Sequence, residues 1–381
     1  MVTEQAASPT ALGASLLAAA AVLTSASLAQ AENAPERASI SVRYLDYQDG
    51  QADLERIRIR APTVMLATPL ANVWLLEGSY VVDAVSGASP AFHTVARSAS
   101  QITDRRQAVD AKLTRYWPWG TVKVGAAYSN ESDYVSKALS VQASVATDDK
   151  NSTVNVGLGV TRDRIDPVND RVTGQRKASH DLMLGLTQVV TPTDLVQLNL
   201  TYASGRGYFS DPYKFLDKRP PERRQTAMLL RWNHHVADVD GTARTSYRYY
   251  TDSWDIRAHT LTLEYVQSLP WGWSVTPLLR VYSQGAARFY VDVNPASPTR
   301  PRLPADYLPG ETTLSYDQRL SAFGARTFGI KLGKQINADW QADIKVEDYQ
   351  QRSGWHIGGA GSPGLAAFRA RVVQLGASRL F

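Results

Sequence analysis

The side chains able to do chemistry are few in kind and spread along the chain. The 381 residues include no cysteine, which removes disulfides, thiolate-held metals and thiol nucleophiles together. His234 and His235 are neighbours, and on an extended strand neighbouring side chains point to opposite faces, so this pair cannot grip one metal ion. His93, His180, His259 and His356 stand apart. Neither a Gly-x-Ser-x-Gly elbow nor a His-Glu-x-x-His motif occurs. Asp238-Val239-Asp240-Gly241 has two carboxylates of a calcium loop but lacks the remaining ligands, and reads as a turn. No catalytic residue, metal or cofactor is therefore expected, and the chain is not read as an enzyme.

What remains is charge carried on one side of alternating segments. Val122, Val124, Ala126 and Tyr128 alternate with Lys123, Gly125, Ala127 and Ser129. Val154 to Val160, Val196 to Tyr202, Leu261 to Tyr265 and Trp340 to Val346 repeat the pattern. A strand has period two, so each segment has one apolar and one polar face. The polar faces hold Asp110, Lys112, Lys123, Arg231, Arg244, Arg248, Glu264, Arg280, Asp343, Lys345 and Glu347. If they line a lumen, Arg231, Arg244, Arg248 and Arg280, with Lys123 and Lys345, make a positive wall that selects anions. Because Glu264, Glu347, Asp343 and Asp110 share those faces, cross-strand neutralisation is the expectation, and the anion-selective wall the alternative.

Alternation alone fits a soluble sandwich as well as a membrane barrel, and so do a hydrophobic content of 44% and a mean hydropathy of −0.27. Connection lengths decide. Short turns at 68–72, 118–120, 148–151, 191–194, 237–241, 270–272 and 337–339 alternate with long loops at 85–105, 163–176, 205–221, 292–317 and 353–366. That is the pattern of a barrel with tight periplasmic turns and longer extracellular loops, although the connections near 48–53 and 129–134 are short. Trp74, Trp117, Trp119, Trp271, Trp273 and Trp340 all stand beside short turns, where an interfacial aromatic girdle would lie. The expectation is an all-β fold, a closed antiparallel transmembrane barrel of about sixteen strands, with roughly fourteen to eighteen as the range. The formal net charge of +5 is spread out, so nucleic acid is not an expected partner; membrane lipid is.

Residues 1–31 read as a cleaved secretory signal peptide: Ala11 to Leu28 is small and apolar, and Ala29-Gln30-Ala31 is an A-x-A site. The segment before the apolar run departs from the pattern, with Glu4 and no Lys or Arg. Residues 32–38 are then a short periplasmic segment, and 39–381 a single barrel domain. The chain ends on Phe381, closing an amphipathic strand through Leu375, Ala377 and Arg379. Such an ending is similar to the signal read by barrel-assembly machinery. Arg379 takes a normally apolar place and is expected to snorkel to the periplasmic interface.

One stretch goes beyond pattern. Val82-Asp83-Ala84-Val85-Ser86-Gly87-Ala88-Ser89-Pro90, then Thr103-Asp104-Arg105-Arg106, resembles the hallmark of the domain of unknown function 3570 family. Tyr128 to Tyr134 and Tyr316 to Gly324 match it further, and the resemblance runs over nearly the whole mature chain. It implies a Gram-negative outer-membrane barrel without an assigned activity. Relatives are encoded near flavin-transfer and redox proteins, which implies a redox setting without assigning residues. Physically, the segment at 84–105 is a Gly/Ser/Pro loop leaving a strand that carries Glu77 and Asp83 inward, and is expected to fold into the lumen or across its mouth. Asp83, Asp104, Arg105 and Arg106 would form a buried charge network, either as a constriction or as a clamp of the loop to the wall. Two functions follow. A passive channel or transporter for small polar solutes is favoured by the polar, Gly-rich inner faces. A structural or docking barrel with a plugged lumen, holding a periplasmic or surface redox protein or lipoprotein, is favoured by the loop.

Overall fold

The alternating segments are realised as strands in a computed structural model, which describes residues 33–51, 54–87, 102–214, 216–292, 294 and 303–381. In chain order they are β1 (Ser39–Gln51), β2 (Leu54–Leu70), β3 (Trp74–Gly87), β4 (Ile102–Trp117), β5 (Gly120–Asn130), β6 (Tyr134–Ala146), β7 (Ser152–Ile165) and β8 (Gln175–Thr191). Then follow β9 (Asp194–Gly207), β10 (Glu222–Val236), β11 (Gly241–Asp252), β12 (Arg257–Leu269), β13 (Trp273–Gln284), β14 (Phe323–Gln335), β15 (Trp340–Arg352) and β16 (Phe368–Leu380). Each pairs antiparallel with its chain neighbours, and β1 pairs with β16 from Ser39↔Leu380 to Gln51↔Phe368, closing the barrel. Closure leaves no edge strand with unpaired backbone groups, the condition for a sheet in hydrocarbon.

The two faces separate as period two demands. Val42, Val64, Leu113, Val124, Leu139, Val156, Leu158, Leu184, Leu200, Leu230, Leu261, Phe328, Ile330 and Leu375 are exposed on the outside. An apolar outer face on every side of a closed sheet is the surface a bilayer requires. Its lower border is the end with short turns, where aromatic rings and cations meet. Arg115 lies 5.0 Å from the centre of the Trp74 ring and 5.5 Å from that of Trp117, which itself stacks on Trp119. Lys334 covers Trp273 at 5.0 Å and Arg379 covers Trp340 at 5.5 Å. Arg379 thus keeps its charge at the interface by resting on an indole. In the turn after β12, Gly272 takes a left-handed φ of 74°, and a Cβ there would stand 2.7 Å from the Gln335 carbonyl oxygen.

The other end carries the long connections, and here the strand limits correct the sequence reading. β3 and β4 stay paired through Ala84↔Arg105 to Gly87↔Ile102, so the outer parts of 84–105 are strand and not loop. The ladder of β7 with β8 likewise runs to Ile165↔Gln175. The connection after β13 begins at residue 285 rather than at Asp292. Residues 1–32, with the expected signal peptide, and 88–101, the middle of the expected plug, lie outside the described residues.

Candidate functional site

Lumen-facing side chains alternate with the lipid-facing ones, so position along each strand sets what the wall offers. On β10 to β13 it offers arginine. The register aligns Arg231 with Ser246, Ser246 with Thr262, and Thr262 with Arg280 in one row across four strands. Arg244 and Arg248 flank Ser246 two residues to either side, on the same face. Three ladder steps of roughly 4.8 Å put the patch at about 14 Å across. All four arginines are partly exposed. Arg231 donates to Gln197 at 3.4 Å, Arg280 to Thr262 at 3.4 Å, and Arg248 lies 5.4 Å from the Tyr250 ring centre. Glu264 is the register partner of Arg244. Yet among the described residues no carboxylate oxygen comes within the 4.0 Å of an ion pair for any of the four.

Of the expected wall, Lys345 and Lys123 are neutralised by ion pairs, while Asp343 and Asp110 are engaged away from the four arginines. Glu347 holds Lys345 at 2.9 Å, and Asp343 lies 3.7 Å from Lys331 and 4.0 Å from Arg43. Asp110 accepts from Ser79. Glu77 pairs with Lys123 at 3.3 Å and is the register partner of Lys112. Asp83 and Arg106 form a ladder pair, with Arg106 Nε 2.5 Å from the carboxylate. Arg105, one residue from Arg106 on the strand, is exposed on the outer face with Val109 and Leu113. The side chain of Asp104 lies outside the described residues.

Directly across the ring from the arginines, β2 to β5 carry Glu77, Asp83, Asp110, Lys112 and Lys123 on their inner faces, whereas β5 to β8, on the arc between, present small or uncharged groups over most of their inner length. They include Gly125, Ala127, Ser140, Gln142, Gly157, Gly159 and Gly185. A wide bore needs residues of this size. The wall is thus uneven, with arginines on β10 to β13, mixed acids and bases across from them on β2 to β5, and room on the arc between.

At the long-loop end three connections fold together over the lumen, in a place where period-two reading gives no signal. Trp254 (0% exposed), between β11 and β12, meets Phe209 after β9 at 5.6 Å and Phe289 after β13 at 5.2 Å, both edge-to-face. Its indole N–H donates to the Glu222 carbonyl at 3.0 Å, and Arg223 lies 4.1 Å from the ring centre. Asp252 accepts from Arg223 at 2.6 Å and from the Trp254 and Ile256 amides at 2.9 and 3.0 Å. Beside this apolar knot lies a buried ion network. Asp317 (1% exposed), after β13, accepts from Arg319 at 2.7 Å and from Arg219, after β9, at 2.8 Å. Arg219 also reaches Asp217 at 2.8 Å, and Arg319 reaches Asp211 at 2.9 Å. Gln318 accepts from Gln51 at the end of β1 at 3.1 Å. β1 and β9 are eight places apart in the ring of sixteen, so a chain of contacts from the β9 loop to Gln51 spans the bore. Burial opposes ionisation of Asp317, but Arg319, Lys214 and Arg219 outweigh it and hold the carboxyl well below its ordinary range.

The family model described as "Protein of unknown function (DUF3570)" matches residues 93–176 and 170–372. No curated protein matches the sequence. A solved structure titled "Bacterial polysaccharide outer membrane secretin" is similar at 8% identity and a TM-score of 0.53, covering 90% of this chain and 98% of that one. The siderophore receptor PirA from Pseudomonas aeruginosa gives 11% identity and a TM-score of 0.47, over 90% of this chain but only 62% of the receptor. OccK2 (OpdF) from Pseudomonas aeruginosa, in complex with glucuronate, gives 11% and 0.45, over 91% and 98%. At these identities the likeness concerns the fold.

Proposed function

Since the chain belongs to the family described as "Protein of unknown function (DUF3570)", whose description assigns no activity, we propose from the lumen itself that this outer-membrane barrel is a passive channel for small polar solutes, with a preference for anions. One observation carries the reading: Arg231, Arg244, Arg248 and Arg280 face the bore without a carboxylate in ion-pair reach among the described residues. A guanidinium cannot discharge by losing its proton, and leaving one unpaired in a dry interior is strongly unfavourable. The bore at that depth therefore holds water and mobile anions. The short-turn end faces the periplasm and the loop-covered end the exterior. The loops narrow the route from outside to whatever passes around the Asp317 network. Reconstitution in planar bilayers tests this. Conductance steps with a reversal potential displaced toward that of chloride in a potassium chloride gradient are expected. A barrel silent at every voltage, or one preferring potassium, would rule the channel out.

The second reading is a barrel closed by its loops that serves to dock a redox protein or lipoprotein. The observation in its favour is the ion network itself, which joins opposite walls across the mouth. Co-purification of one partner in mild detergent, from a barrel that does not conduct, would support docking; an isolated conducting barrel would exclude it.

A further inference from the structure

The outer face of the barrel carries a second group of cations, away from the lumen. On β6, β7 and β8, at the long-loop end, Lys137 is the register partner of Arg162, and Arg164 that of Arg176. Arg206 on β9 extends the first row, because Ala178 stands opposite both Arg162 and Arg206. All five point outward, on the face of Leu139, Leu158 and Leu184, and all are exposed. Like charges placed directly across a ladder repel one another. Only two of the five have an acid at hand: Arg164 holds Asp166 at 2.5 Å, and Arg206 lies 3.6 Å from Glu222. Among the described residues no carboxylate oxygen reaches within 4.0 Å of Lys137, Arg162 or Arg176.

The depth of this cluster is informative. The next outward row below it, Leu139 opposite Val160, already belongs to the apolar band, with exposures of 61% and 41%. Two residues of strand advance the chain by about 6.7 Å. The cations therefore stand at the level where acyl chains give way to headgroups. An anion that settles there has to be attached to a lipid. Guanidinium forks match phosphate oxygens in pairs, and three uncompensated cations call for more than one negative charge.

We propose that the outward face of β6 to β8 is a binding site for a phosphorylated glycolipid of the outer leaflet, of the lipid A kind, whose phosphates sit between Lys137, Arg162 and Arg176 while its acyl chains cover Leu139 and Val160. The site depends on the barrel's residence in the outer membrane and not on conduction through it.

The test uses the full mature chain in detergent micelles, with bound lipid followed by native mass spectrometry and tryptophan fluorescence. The probes are bis-phosphorylated lipid A, the same lipid with its phosphates removed, and inorganic phosphate. Wild type should retain the bis-phosphorylated lipid, and the double variant Arg162→Gln/Arg176→Gln should bind it at least about tenfold more weakly. The same variant relieves like-charge repulsion, so without lipid its barrel should resist heating in detergent as well as wild type does. Arg162→Lys/Arg176→Lys should recover part of the binding. Equal binding of the dephosphorylated lipid would overturn the proposal, as would an unchanged affinity in the Gln variant. Competition by inorganic phosphate at comparable concentration would replace a lipid site with a simple anion site. Bilayer conductance of the variant should equal that of wild type, which separates this site from the lumen.

Discussion

At the residue scale the loop cover turns on Asp317. Its carboxylate is the shared acceptor for Arg319 and Arg219, and nearly all of it is withdrawn from water. In Asp317→Asn the buried Arg219 and the partly buried Arg319 lose their common partner and keep only Asp217 and Asp211, which costs at most about 3–5 kcal/mol. The sixteen-strand ladder is independent of it, so the penalty falls on the loops. The variant should keep its heat-resistant barrel mobility on gels, while trypsin should cut faster at Lys214 and Lys218, both in the loop after β9. Unchanged cleavage would mean that the network does not hold the cover. The same group sets a pH expectation. Asp317 titrates below its ordinary value, so its contribution is fully present above the unfolded pKa of about 4 and is lost only as pH falls through the lower folded value. Between pH 7 and about pH 4.5 the cleavage rate, corrected for the protease's own pH response, should stay flat. A loosening near pH 5 would contradict this.

At the scale of elements, the strands were legible and the cover was not. Alternation, short turns and flanking tryptophans mark the sixteen segments because each signal comes from residues close in sequence. Phe209, Trp254, Phe289 and Leu320 form one buried cluster, yet they come from three separate connections and share no period. Asp317 and Arg319 lie within a stretch that resembles the family, but sequence gave them no role, since their partners Arg219 and Asp211 are about a hundred residues away. Arg105 faces outward for the opposite reason: a loop was expected where the ladder continues, and alternation decides the side. How an element ends also governs the cover. Gly207 closes β9 with φ 129°, and a Cβ there would stand 2.2 Å from the Arg176 carbonyl oxygen. Both the strained φ and the clash oppose a side chain, a cost of about 1–3 kcal/mol or more. Gly207→Ala should therefore free the segment that carries Phe209, Asp211 and Arg219, and reproduce the faster trypsin cleavage of Asp317→Asn with the barrel intact. If Gly207→Ala instead abolishes the heat-resistant form, this corner is part of barrel assembly and not only of the cover.

For the whole molecule, the question is whether the arginine quadrant of the bore acts as one electrostatic unit. Sequence placed Arg231, Arg244, Arg248 and Arg280 on inner faces, but it could not say which acids stood beside them, because pairing depends on strand order and register. Once the ring is closed, Asp343 and Glu347 lie on β15 and Asp110 on β4, outside the quadrant of β10 to β13. Glu264 is the nearest acid in the ladder. Four positive charges on one quadrant, none with a carboxylate in ion-pair reach among the described residues, should raise the local concentration of anions. The field reaches about 10 Å at 0.1 M salt and only about 3 Å at 1 M. Anion preference should therefore be strong in dilute potassium chloride and fade as salt rises. Replacing the two ends of the row, in Arg231→Gln/Arg280→Gln, should move the reversal potential toward zero at 0.1 M with little change at 1 M. Glu264→Gln should move it the other way, since it removes the one acid beside Arg244. Opposite signs for these two variants are what a wall field requires. If both leave the reversal potential where it was, ions are selected at the loop cover instead, and Asp317→Asn should then be the substitution that shifts it.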